Sequence, residues 1–141
     1  MLAAVLLALG LAGTIDRAGV QDVIDDINRQ RARVNVTALQ TDPALAAVAL
    51  ERANDMARRH YFAHVNPDGK TALDALRERA YAYSYAGENI ALAPSVKDAE
   101  RGLWQSPPHR ENLLDEHFHR VGIAVVRTSA SENYVVQVFS D

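Results

Sequence analysis

Residues 120 to 140, RVGIAVVRTSASENYVVQVFS, narrow the fold more than any other part of the chain. RVGIAVVRT and NYVVQVFS are rich in β-branched residues, and the short SASE between them reads as a hairpin connection, so an antiparallel pair closes the sequence. Upstream the period is helical. Val20, Val23, Ile24, Ile27, Arg31 and Val34 recur at i, i+3, i+4, i+7, which predicts a helix of about four turns ending near Asn35. Asp42 reads as an N-cap with Pro43 at the first helical position of a second helix. Its inward face would be Leu45, Val48, Ala49, Ala53, Met56 and Ala57, and so many alanines predict close approach by another element. Helices first and a hairpin last, with no βαβ alternation, imply an α+β fold with a mainly antiparallel sheet.

Composition excludes several roles. The 141 residues suffice for one domain with a sizeable core. A net charge of −3 without a basic run gives no reason to expect nucleic acid as a partner. There are no cysteines, which removes disulfides, thiolate metal sites and thiol nucleophiles together. Residues 1–13 form a charge-free apolar leader, and a domain is expected over 19–141. As a helix the leader would rise only about 20 Å, too short for a hydrocarbon core of about 30 Å. It reads as a short or start-truncated secretory signal, with a membrane-surface anchor or an ordinary buried helix as the alternatives.

Between the two helices and the hairpin lie several punctuated segments. Asn66-Pro67-Asp68-Gly69 is a tight turn signal. Thr71 with Asp74 is a capping-box pattern opening a short helix over Ala72–Ala80. The stretch YAYSYAGENIALA reads as extended in its second half. Ser95 with Asp98 opens a helix with a Val96, Ala99, Leu103 stripe, and Trp104 is expected to pack at its end. Ser106-Pro107 opens one more, with Leu113 and Leu114 turned inward.

The five histidines separate by context. His60 near a helix end reads as a solvent-facing group or one complementing the helix dipole. His117 and His119 flank Phe118 and could chelate a metal if extended, although a loop packing Phe118 beneath two exposed histidines is the simpler reading. His64 precedes the tight turn, a setting in which loops commonly present functional side chains. His109 falls at the third position of its helix, where the positive end of the dipole favours neutral imidazole. Glu88, between a glycine and an apolar segment, needs a partner if buried, and backbone N–H groups are one option. No G-x-S-x-G elbow, HExxH signature, P-loop or GxGxxG occurs. The residues on offer permit divalent-metal binding through imidazole nitrogen, or general acid–base chemistry.

Taken in order, INRQRARVNVTALQTDPALAAVALERANDMA, HVNPDG, AGENIA, LWQSPPHRENLL, FHRVGIAVV and YVVQVF resemble the CAP superfamily (cysteine-rich secretory proteins, antigen 5 and pathogenesis-related 1; the SCP domain), in its compact cysteine-free bacterial branch. The likeness covers roughly residues 20 to 140. It implies a three-layer α-β-α sandwich around an antiparallel sheet of three or four strands, and a cleft lined by two histidines and acidic residues. His64 matches the first histidine, Glu88 the glutamate of the GEN motif, and His109 the histidine that bacterial members carry after a Ser-Pro pair. Leu103 and Ser106 stand where many eukaryotic members have a tryptophan and a second glutamate, so Ser106 is expected as an N-cap and as a cleft hydroxyl. The function implied is an extracellular, periplasmic or envelope binding module, monomeric, whose cleft holds a small ligand or a weakly bound zinc ion at His64 and His109, with lipid or sterol as a further ligand class. The alternatives are a metal-assisted hydrolase of peptide or cell-wall substrates, with Glu88 as catalytic base beside the histidines, and a structural cell-envelope protein.

Overall fold

The computed structural model describes residues 12–141, so all but the last two residues of the leader at 1–13 lie outside the described residues. The elements run β1 (Thr14–Ile15), α1 (Arg17–Arg33), β2 (Gln40–Thr41), α2 (Pro43–Arg59), α3 (Ala72–Glu78), β3 (Ala86–Ala93), α4 (Val96–Gln105), α5 (Pro107–Leu114), β4 (Arg120–Arg127) and β5 (Asn133–Ser140). The C-terminal hairpin is central. β5 lies between β4 and β3, both antiparallel to it, and the order β1-β4-β5-β3 is completed by β2, parallel beside β4. Two of the five strands are two-residue pieces along the outer side of β4, which is why the sheet exceeds the three or four strands implied by the resemblance.

Alternation along the hairpin builds the layers. Ala124, Val126, Val136 and Val138 pack with the apolar face of α2 and with Ala72 and Leu76 of α3. Val121, Ile123 and Phe139 face Val23, Ile24 and Ile27 of α1, Leu103 of α4 and Leu113 of α5. Because strand side chains alternate, one short run of apolar residues serves both faces. The result is the α-β-α sandwich.

Local signals account for most helix boundaries. The Asp42 carboxylate accepts from Ala44 and Leu45 N–H at 2.8 and 3.1 Å. The capping box between Thr71 and Asp74 is present in both directions. Two expectations shift. Val34 is 53% exposed because α1 ends at Arg33, which turns this last stripe position out of the helix. Leu113 is buried but its neighbour Leu114 is only half-buried.

Arg31, on the apolar stripe of α1, is 0% exposed. Its guanidinium donates to Thr37 O (2.7 Å), Leu113 O (2.9 Å), Asp115 O (3.2 Å) and Phe118 O (3.0 Å). A charge in the core is tolerable only with such a set of acceptors, and this one ties α1 to the end of α5 and the segment leading into β4.

Helix α2 lies close against the sheet at Gly122, where a Cβ would lie 2.0 Å from main-chain atoms of Leu45 and Ala46. Those atoms belong to the first turn of a capped helix and cannot move aside alone. Gly122→Ala is therefore expected to lower stability by about 1–3 kcal/mol or more, the usual cost of overpacking, in urea denaturation followed by far-UV circular dichroism.

Candidate functional site

Helix α2 carries the residue on which the site is built. Arg52 sits three positions after Ala49 and four before Met56, inside the apolar stripe, and is 4% exposed. Its guanidinium meets Glu88 with two bonds, Nε to Oε2 at 2.9 Å and Nη2 to Oε1 at 3.2 Å. Nη2 also donates to the carbonyls of Ala63 and His64, each at 2.8 Å. One side chain thus pins both the GEN carboxylate and the loop that presents His64. Behind it, Tyr61 donates to Asp55 at 2.6 Å, and burial together with that bond raises the phenol pKa.

His64 is 54% exposed at its side chain, and its Nδ1 lies 2.8 Å from Glu88 Oε1. A carboxylate held by an arginine can only accept, so Nδ1 donates and Nε2 is left for a ligand. The tight turn after His64 forms as expected, with Gly69 at φ +79° and its N–H donating to Asn66 O at 2.9 Å.

The second histidine is held from the opposite face of the same strand. Asn89, adjacent to Glu88 and 0% exposed, donates to His109 O at 3.1 Å and to Gln137 Oε1 at 3.1 Å, and accepts from Asn112 at 2.9 Å. These bonds clamp the first turns of α5 onto β3. Ser106 occupies the N-cap position of α5, but its hydroxyl makes no capping bond to the main chain. It lies 2.7 Å from His109 Nδ1 instead, so the cap expected from sequence is replaced by an imidazole contact. Here too Nε2 is the ring nitrogen left over. Burial lowers the His109 pKa, and the positive charge of a protonated His64 acts in the same direction.

His64, Glu88, His109 and Ser106 therefore share one region around β3. The other histidines do not join it. His60 is an exposed C-cap in the left-handed conformation. His117 stacks on Tyr85 with ring centroids 4.4 Å apart and bonds Asp115, while Phe118 between His117 and His119 is 4% exposed. Among the described residues no group of three or more His, Asp or Glu side chains is arranged to hold a metal ion. Each of the two imidazoles is oriented through its Nδ1, by Glu88 for His64 and by Ser106 for His109.

Sequence reasoning overlooks Arg52, Asn89, Gln137 and Glu100. A charged residue interrupting an apolar stripe is the signal for Arg52. Glu100 carries the same signal, at i+4 from Val96 and i−3 from Leu103, and it continues the buried polar chain by accepting from Gln137 at 2.9 Å. Its Oε2 has no partner among the described residues, and burial raises its pKa to about 7. Glu100 also borders a groove of about 670 Å³ between α1 and α4, lined by Val23, Asp26, Val96 and Trp104.

Known proteins share this arrangement of elements. Residues 24–139 match the family model described as the cysteine-rich secretory protein family, CAP. The crystal structure of an extracellular protein containing an SCP domain from Bacillus anthracis superposes with a TM-score of 0.80 at 32% identity, covering 89% of this chain and 41% of that one. An outer surface protein of Borrelia burgdorferi shares the fold with a TM-score of 0.84 at 19% identity, covering 92% of this chain and 98% of that one. The Bacillus subtilis protein YkwD is 28% identical over 109 residues, 77% of this chain and 42% of that protein. The chain spans less than half the length of such curated relatives. No helix among the described residues is long and apolar enough to cross a membrane.

Glu100 generates a pH dependence with a definite sign. A folded-state pKa near 7 lies above the unfolded value of 4.5, so the native state binds more protons between them and stability falls as pH rises through that window. Glu100→Gln removes the ionisable group and keeps its shape. It is expected to stabilise the protein by on the order of 3 kcal/mol above pH 7 and to flatten the decline between pH 4.5 and 7, as measured by urea denaturation across that range.

Proposed function

The chain belongs to the cysteine-rich secretory protein (CAP) family, and from that premise we propose that it is a secreted or envelope-located binding module. Its cleft holds a divalent cation or a small ligand between His64 and His109. One observation carries this reading: both rings are fixed through Nδ1, by Glu88 and by Ser106, so that both Nε2 atoms remain for a ligand. The lowered pKa of His109 supports it, since a neutral imidazole is the form that ligates. An extracellular and an outer-surface protein among the similar structures support the location.

The hydrolase alternative draws less support. Both oxygens of Glu88 are engaged by Arg52 and Oε1 also by His64, so the carboxylate is committed to holding those side chains rather than aimed at a substrate or water. Ser106 supplies a hydroxyl where a second carboxylate would be needed. A bound zinc ion would bring Lewis-acid polarisation of a ligand carbonyl, while the protein's own groups orient rings and hold the loop.

Thermal denaturation with added Zn²⁺ tests the reading. At about a hundred times its Kd the ion adds about 2.7 kcal/mol, a rise in melting temperature of several degrees. The double variant His64→Ala/His109→Ala is expected to lose the rise. Wild-type protein whose melting temperature ignores Zn²⁺ would sink the metal assignment. Turnover of a peptide or glycan panel that disappears in Glu88→Gln would favour the hydrolase instead.

A further inference from the structure

We propose that the edge of β3 left unpaired among the described residues binds an extended peptide, which adds a strand to the sheet and passes between the His64 loop and α5. This rests on the reading of the cleft as a binding site and names the class of partner that it takes.

The hydrogen-bond pattern of the sheet assigns each residue of β3 a direction. In an antiparallel ladder, the main-chain N–H and C=O of successive residues turn to opposite sides of the strand. Asp141 N–H donates to Tyr85 O at 3.1 Å, which turns the odd-numbered residues of this segment towards β5. The register agrees, pairing Gly87 with Phe139, Asn89 with Gln137 and Ala91 with Val135. On β4, Val121 O and Val125 O are turned outward to Asp42 N–H and Asp16 N–H. The even-numbered residues of β4 therefore bond β5, which leaves the odd-numbered residues of β5 for β3.

It follows that the N–H and C=O of Glu88, Ile90 and Leu92 point away from the sheet. Among the described residues none of these groups has a main-chain partner outside the ladder. Glu88 shows the opening directly. Its side chain is only 5% exposed, yet the residue as a whole is not buried, so the main chain is the part that reaches solvent.

The two edges of the sheet are treated differently. Along β4 the outer side is paired with β1 and β2. Exposed edges are ordinarily blunted by lysine, proline or an inward-pointing charge. Ala86–Ala93 contains neither lysine nor proline, and its one charged residue, Glu88, is neutralised by Arg52. The unpaired groups recur every second residue, about 6.8 Å apart, the repeat of an extended polypeptide. A glycan or a lipid chain does not offer that alternation of donors and acceptors. An added strand would turn alternate side chains towards His109 on one face of the sheet and towards the His64 loop on the other. That loop exposes Phe62 (47%) and Val65 (52%), which suits a peptide with apolar residues at alternate positions.

The test uses the full chain, ¹⁵N-labelled, and a blocked peptide of alternating valine and threonine flanked by lysines. Two further peptides carry N-methyl groups on the valines alone or on the threonines alone. The parent peptide is expected to slow amide exchange at Glu88, Ile90 and Leu92 on the order of tenfold near saturation, and to leave Asn89 and Ala91 unchanged. One N-methylated peptide should bind like the parent and the other should not, because only one set of peptide N–H groups faces β3. Equal binding by both, or protection confined to another surface, would overturn the proposal. So would protection of the same three amides that grows with protein concentration alone, which assigns the edge to a second copy. Zinc-linked melting is measured on peptide-free samples of the same protein. A zinc response without peptide protection defeats this inference and leaves the metal reading standing; peptide protection without a zinc response does the reverse.

Discussion

The ion pair between Arg52 and Glu88 is the interaction on which the site depends. Both side chains are 5% exposed, and removing two charges from water costs several kcal/mol per ion before their attraction is counted. The geometry offsets that cost with two bonds between the partners and two more from Arg52 to the carbonyls of Ala63 and His64. An apolar pair could fill the same space. It could not bind those carbonyls, and the loop carrying His64 would lose its attachment to the sheet.

Asn89 does the corresponding work on the other face. Glu88 and Asn89 are consecutive residues of one strand, so their side chains point to opposite layers. One holds His64 and the other holds the main chain of His109. Both holds act on β3, which lies at the edge of the sheet. Strand alternation and buried polar bonds together attach two histidines distant in sequence to consecutive residues of one strand. Arg31 plays a parallel part from α1, tying down the chain that leads from α5 into β4.

Much of this was legible in the residues. The hairpin, the stripes of α1 and α2, the Asp42 cap and the Thr71 capping box each follow from local chemistry, and they appear where spacing puts them. The resemblance carried by the ordered motifs singled out His64, Glu88 and His109. The connections among them were hidden. Arg52 reads as a lapse in a stripe until its partner, 36 residues on, is seen. Ser106 reads as a cap because its position is right, yet its hydroxyl is taken by His109. Sequence periodicity reports which face a residue occupies, whereas a buried polar group is explained only by what comes to meet it.

A double-mutant cycle tests the central claim most directly. Arg52→Met, Glu88→Leu and the double variant are compared by urea denaturation at neutral pH. Each single change leaves one buried charge without its counterion and is expected to cost about 3–5 kcal/mol. The double variant should be clearly more stable than the sum of the two losses implies. If the losses add within about 0.5 kcal/mol, the two side chains act independently, and the pair does not organise the site.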